Sequence, residues 1–211
     1  MRKLPLLYGI FGSKDDNLLY KIERSILGGV KIFQLRIKGA PREEIIKIGK
    51  NVKKLCEFFG VIFIVNDDPE IALLLQADGV HIGKDDADIA YVRKKIGNKI
   101  LGVSCYDSIE RAREAEGLGA DYVSMSSPFP SPTKKDKKIV PFETIKKAKD
   151  VLKIPLYVIG GINKDNVSLL LSKVKCGICA ISGIYEGEDP FINAFEMREK
   201  ILLYNEGSLT F

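Results

Sequence analysis

Histidine occurs once in the 211 residues, as His81, which excludes any zinc site that needs two imidazole ligands. No G-x-S-x-G run is present, so the nucleophile elbow of serine hydrolases is excluded as well. Cysteine is sparse: Cys56, Cys105, Cys176 and Cys179 are too few for a disulfide scaffold at this length and suit a reducing compartment. Cys176 and Cys179 form a C-x-x-C, but in a strand positions i and i+3 point to opposite faces, and no second cysteine pair could complete a metal site. Nowhere do ~18 consecutive apolar residues occur, and Met1-Arg2-Lys3-Leu4-Pro5 leads into only a short apolar run. Neither a membrane span nor a signal peptide is expected, and the expected location is the cytoplasm. Neither sign of charge dominates: 33 Lys and Arg stand against 28 Asp and Glu, a net charge of +5, with 9% aromatics. That balance excludes a polybasic nucleic-acid binder and suits small anionic ligands.

What is present is apolar material in a regular order. Hydrophobic residues make up 45% of the chain, enough to bury one sizeable core, and no linker or charge block divides it, so residues 1–211 read as a single domain. Eight short runs read as strands: Leu6–Ile10, Ile32–Leu35, Val61–Val65, Gly79–Ile82, Ile100–Ser104, Tyr122–Met125, Leu156–Ile159 and Gly177–Ile181. Their continuous apolarity fits strands covered on both faces. Between them the spacing turns helical, as in Ile45, Ile48, Val52, Leu55 and Phe59, or Ile109, Ala112 and Leu118. Asp107 with Glu110 reads as a capping box, and Pro41, Pro141 and Pro190 stand where first helical turns begin, Pro190 behind a candidate Asp189 cap. Eight β-α units with right-handed crossovers predict an α/β fold, a single (β/α)8 TIM barrel of about 26 residues per unit.

In such a barrel the chemistry gathers at the C-terminal strand ends. After the second strand, period-2 alternation puts Gln34, Arg36 and Lys38 on one side: an amide, a guanidinium fork and an ammonium that can hold a diphosphate, or else a solvated strand end. The third strand ends in Asn66-Asp67-Asp68, and the fourth leads into Lys84-Asp85-Asp86. Asp67 with Asp85 or Asp86 meets the needs of Mg²⁺, which takes one or two carboxylates plus water and phosphate oxygens; the alternative for Asp68 and Asp86 is helix capping. His81, between Val80 and Ile82, reads as a packed core imidazole, and Ser104 ends the fifth strand. The long loop from Ser126 to Lys138, stiffened by Pro128, Pro130 and Pro132, reads as a lid that brings Ser131, Thr133, Lys134 and Lys135 over the mouth. Small residues at Gly160-Gly161 and Ile181-Ser182-Gly183, after the seventh and eighth strands, suit a phosphate.

Taken in order, these segments resemble the thiamine-phosphate synthase family from Leu7 to about Phe195. The resemblance is carried by Gly28-Gly29-Val30, Gln34-Leu35-Arg36-x-Lys38, Val65-Asn66-Asp67, Ala77-Asp78-Gly79-Val80-His81-Ile82-Gly83, Gly102-Val103-Ser104, Gly119-Ala120-Asp121-Tyr122-Val123, Pro130-Ser131-Pro132-Thr133-Lys134-Lys135 and Ile159-Gly160-Gly161-Ile162. It implies a Mg²⁺-dependent transferase joining 4-amino-5-hydroxymethyl-2-methylpyrimidine diphosphate to 4-methyl-5-(2-hydroxyethyl)thiazole phosphate, with thiamine phosphate and diphosphate as products. The residues so implied for the pyrimidine diphosphate are Gln34, Leu35, Arg36, Ile37, Lys38, Asn66, Ser104 and Lys134, with Arg36, Lys38, Ser104 and Lys134 acting on the leaving group. Asp67 and Asp86 would hold Mg²⁺, and Ser131, Pro132, Thr133, Gly161, Ile181 and Ser182 the thiazole phosphate. The chain departs from the family at Ser126-Ser127-Pro128-Phe129, where Gly-Pro-Val-Phe is usual, at Ile37, usually acidic, and at Lys84, usually Gln. Other readings within reach are a thiazole tautomerase relative, which would be expected to carry a histidine near Cys105, a non-catalytic thiamine-phosphate binder, and a phosphosugar isomerase that uses only the glycine cup.

Overall fold

β-branched runs covered on both faces have one stable arrangement when each is followed by an amphipathic stretch: a parallel sheet wrapped in helices. The computed structural model describes residues 3–12, 17–84, 86–130, 139–187, 189–206 and 209–211. Its strands are β1 (Leu7–Phe11), β2 (Ile32–Leu35), β3 (Ile62–Asn66), β4 (Gly79–Ile82), β5 (Ile100–Tyr106), β6 (Tyr122–Ser126), β7 (Leu156–Ile159) and β8 (Gly177–Ala180). Each pairs in parallel with the next, and β1 also pairs with β8 through Leu7 and Ile178, which closes the barrel. The helices are α1 (Leu18–Gly28), α2 (Arg42–Phe59), α3 (Pro69–Leu74), α4 (Ile89–Ile96), α5 (Ile109–Gly117), α6 (Phe142–Val151), α7 (Val167–Lys173), α8 (Ser182–Tyr185) and α9 (Pro190–Tyr204). No helix among the described residues is long and apolar enough to cross a membrane.

Strand alternation divides the core in two. Tyr8, Ile32, Ile64, Ile100, Tyr122, Tyr157 and Cys179 fill the barrel interior, while Phe33, Leu35, Phe63, Val65, Val80, Val123 and Ile178 face the helix layer. Cys176 and Cys179 fall on opposite sides of the wall, as strand geometry requires, and all four cysteines are buried thiols. The Ala-Asp pairs that precede β4 and β6 set strand register: Asp78 accepts from the Phe63 N–H at 2.8 Å, and Asp121 accepts from the Leu101 N–H at 2.8 Å while pairing with Arg93 at 2.6 Å. At the barrel's N-terminal end, Phe211 packs edge-on to Tyr157 with ring centroids 5.2 Å apart, and Leu6 donates to the Leu209 carbonyl. That end is closed, and the opposite mouth is left for ligands.

Local details depart from the sequence expectations. The α5 cap is Ser108, extended at φ −96° and accepting from the Arg111 N–H, rather than Asp107 one residue earlier. Leu118 ends α5 half-exposed, and Ala112 and Ala115 form its buried face. On α2 the fully buried positions are Gly49, Val52 and Cys56; Ile45, Ile48, Leu55 and Phe59 flank them, partly buried. Pro41 and Pro141 each stand one residue before their helices, whereas Pro190 opens α9 behind an Asp189 side chain that accepts from Phe191 N–H at 2.9 Å. β5 runs two residues past Ser104, with a register shift between Ser104 and Tyr106 that turns the Tyr106 ring toward the mouth.

Candidate active site

The barrel mouth holds a cavity of about 480 Å³ lined by the C-terminal ends of all eight strands. Alternation along β2 and the two residues beyond it puts Gln34, Arg36 and Lys38 on its wall, as the spacing predicted. Leu35 and Ile37 face the other way and are buried against the helices. Strand geometry sends these two side chains away from the cavity, so a ligand contact at either position would come from main chain.

The Asn66-Asp67-Asp68 run is split by its backbone. Asp67 takes a left-handed conformation, φ 66°, and its carboxylate faces the cavity. Asp68 turns outward, accepts from the Glu70 and Ile71 N–H groups to cap α3, and pairs with Arg42 at 2.7 Å. Asp86 does not cap a helix; Asp88 caps α4 by accepting from Tyr91 N–H. Instead Asp86 folds back to accept from Gly83 N–H at 2.5 Å and lies against Asp67. Burial, together with the facing Asp86 carboxylate, raises the Asp67 pKa to about 6 against the opposing pull of Arg36 and Lys38. Two hard-oxygen donors held together at such a disadvantage fit a divalent cation that would relieve their repulsion. Among the described residues no cluster of three acidic or thiol or imidazole groups is found, so a cation here would take its other ligands from water and from the substrate's phosphates. Asp85, and the lid candidates Ser131, Pro132, Thr133 and Lys134, lie outside the described residues.

Across the mouth, Gly160, Ile159 and Ile181 line the cavity, and Gly161, Ile162 and Ser182 border a smaller pocket beside it. Gly161 adopts φ 61°, and a Cβ there would collide with the Pro130 carbonyl, so only glycine fits this turn. Ser127 donates to the Gly160 carbonyl, tying the loop after β6 to this cup.

Several cavity residues carried little signal in the sequence. Tyr8 and Tyr122 sit inside apolar runs yet form a buried polar spine with Gln34, His81 and Ser104. His81 is packed and hydrogen-bonded as expected of a core imidazole, burial lowering its pKa to about 4, but its ring also borders the cavity. Ser124 and Ser126, at period 2 from Tyr122, form an inward polar row that strand alternation alone makes legible.

A family profile described as thiamine monophosphate synthase matches residues 7–184. The thiamine-phosphate synthase of Bacillus velezensis is 39% identical over 208 residues, 95% of this chain and 92% of its own length. That of Pyrococcus horikoshii is 42% identical over 183 residues, 87% of this chain and 88% of its own. A solved structure of thiamine phosphate pyrophosphorylase from Pyrococcus furiosus superposes with a TM-score of 0.85 at 34% identity, covering 94% of this chain and 96% of that one.

Proposed function

The chain belongs to the thiamine monophosphate synthase family, and from that premise we propose how its barrel mouth makes thiamine phosphate. It is a transferase that acts on small molecules. We assign it the pyrimidine diphosphate and thiazole phosphate named above as substrates, with Mg²⁺ as cofactor. The observation that carries the assignment is the pairing of Asp67 and Asp86 beside the Arg36 and Lys38 row on one wall, with the small-residue cup of Gly161 and Ser182 on the other.

In this reading Arg36 and Lys38, joined by Lys134 of the lid, hold the diphosphate, and Asn66, Gln34 and Ser104 orient the pyrimidine end. Bound between Asp67 and Asp86, Mg²⁺ would neutralise charge on the departing diphosphate. Ser131, Pro132, Thr133, Gly161, Ile181 and Ser182 take the thiazole phosphate. The bond from the pyrimidine CH₂ to the diphosphate oxygen breaks and a bond from the thiazole nitrogen to that carbon forms. The attacking nitrogen carries no proton, so no general base is required. His81, the cavity's imidazole, is hydrogen-bonded at both nitrogens, and in this reading the cavity's carboxylates Asp67 and Asp86 serve the cation. Positive charge around the leaving group is the main device, since it strengthens as the diphosphate departs. Ring donation from the aminopyrimidine tolerates a cation at the CH₂, so departure precedes attack.

The test is to supply both heterocyclic substrates with Mg²⁺ and quantify thiamine phosphate and diphosphate, which should appear in equal amounts and cease with EDTA. Isomerisation of the thiazole alone would convert the reading to a tautomerase. Tight binding of thiamine phosphate without turnover would make the protein a carrier.

A further inference from the structure

A continuous hydrogen-bonded spine crosses the barrel interior along the cavity, whose lining includes Tyr8, Gln34, His81 and Ser104. Gln34 Nε2 donates to the Tyr8 hydroxyl at 2.6 Å, the Tyr8 and Tyr122 hydroxyls lie 2.8 Å apart, Tyr122 lies 3.0 Å from His81 Nδ1, and His81 Nε2 lies 2.9 Å from Ser104 Oγ. These five side chains come from β2, β1, β6, β4 and β5, and the Tyr8, Gln34, Tyr122 and His81 side chains are all buried. Gly102 makes the crossing possible, since a Cβ there would strike both the Tyr122 ring and His81 Nδ1.

Counting protons gives the spine a direction. The Tyr8 hydroxyl accepts from Gln34, and its remaining oxygen or nitrogen neighbour among the described residues is Tyr122; the Cys179 thiol beside it is only a weak acceptor. If Tyr122 donated to Tyr8, the proton of the fully buried Tyr8 hydroxyl would be left without a good acceptor, which buried hydroxyls avoid. So Tyr8 donates to Tyr122, whose single proton then goes to His81 Nδ1. Among the described residues no carboxylate is hydrogen-bonded to the enclosed His81 ring, which is neutral and keeps its one proton on Nε2, donated to Ser104 Oγ. The next neighbour of the serine, Ser124 Oγ, stands 3.5 Å away, too far for a good hydrogen bond. The Ser104 proton is thus left to point into the cavity.

We propose that Tyr8, Tyr122 and His81 are positioning residues: they fix His81 as the Nε2–H tautomer and so make Ser104 a hydrogen-bond donor to the leaving diphosphate. The inference rests on the reading of Ser104 as a diphosphate contact, but its first half is a property of the ligand-free protein. At the other end, Gln34 Oε1 has no partner among the described residues and offers the cavity an acceptor suited to the exocyclic amine of an aminopyrimidine. If the Gln34 amide were turned over, every hydrogen bond in the spine would reverse. His81 would then be the Nδ1–H tautomer and Ser104 an acceptor, repelling the diphosphate.

Because the chain has a single histidine, nitrogen-15 NMR of protein labelled at the imidazole reports this tautomer without assignment ambiguity and without any substrate. The expected spectrum has the proton on Nε2; a predominant Nδ1–H form overturns the proposal whatever the enzyme's reaction. The second measurement is a double-mutant cycle in the thiamine phosphate assay. Tyr122→Phe keeps the ring and removes the donor to His81, and should mix the tautomers and lower kcat about tenfold with KM changed less than about twofold. In a Ser104→Ala background the same change should lower kcat no further. Equal losses in both backgrounds would mean that Tyr122 supports the fold and not Ser104. Should Tyr122→Phe fail to fold, Tyr8→Phe carries the same cycle one link earlier, with the same two outcomes.

Discussion

Replacing Asp67 by Asn separates the proposed metal site from the fold, because activity and stability should move in opposite directions. Burial and the Asp86 carboxylate hold Asp67 at about 6 against a starting value of 3.8. At about 1.4 kcal/mol for each pH unit of difference, the ionised form would cost the folded protein about 3 kcal/mol. The side chain is partly exposed, and solvent screening reduces this to ~1–2 kcal/mol. The folded-state pKa is the higher one, so this penalty is absent below the unfolded value, grows as pH rises from about 3.8 to about 6, and is fully present above that. Asn removes the charge while tolerating the left-handed φ of 66° better than most side chains. Without Mg²⁺, Asp67→Asn should therefore raise Tm by about 4 °C at pH 7.5 and by nothing measurable at pH 3.5. Adding Mg²⁺ should raise the wild-type Tm and leave that of the variant unchanged, while turnover is lost. The assay is differential scanning calorimetry at the two pH values with and without Mg²⁺. A variant less stable than wild type at pH 7.5, or equally stabilised at both pH values, would show that these carboxylates do not repel and would refute the argument for a cation between them.

The two proposed anion sites should separate kinetically. Arg36→Ala and Lys38→Ala should each raise KM for the pyrimidine diphosphate about tenfold or more, whereas Gly161→Val, by pushing on Pro130, should raise KM for the thiazole phosphate alone; steady-state kinetics with each substrate varied decide this. Asp121→Ala should lower stability by about 2 kcal/mol through the stranded Leu101 N–H and the lost ion pair with Arg93, with KM values unchanged, as denaturant titration and the same kinetics would show. That outcome would make the Gly119-Ala120-Asp121 motif a register pin rather than a ligand site.

The barrel was legible because each strand is a short apolar run, and β2, β4 and β7 begin and end where the runs do. The Gln34, Arg36 and Lys38 row was legible for the same reason that Leu35 and Ile37 are not on it: strand alternation is local. Asp67 and Asp86 could be nominated from neighbouring strand ends, but Asp68 and Asp86 could not be told apart as caps until the φ of Asp67 and the turn at Gly83 were known. The spine was invisible. Tyr8 and Tyr122 lie 114 positions apart, each reads as an ordinary aromatic strand residue, and only barrel closure brings their hydroxyls together. Likewise Ser108 rather than Asp107 caps α5 because one residue of register decides which side chain sits in extended backbone beside the first turn.

The central claim is that one wall of the mouth takes the diphosphate with its cation and the opposite cup takes the thiazole phosphate. A crystal structure of the enzyme with thiamine phosphate, diphosphate and Mg²⁺ tests it directly. Electron density is expected for a cation between Asp67 and Asp86, diphosphate oxygens on Arg36, Lys38 and Ser104, and the product's phosphate against Gly161 and Ser182. A cation elsewhere with Asp67 and Asp86 still facing each other, or the phosphate of thiamine phosphate seated on Arg36 and Lys38, would contradict it.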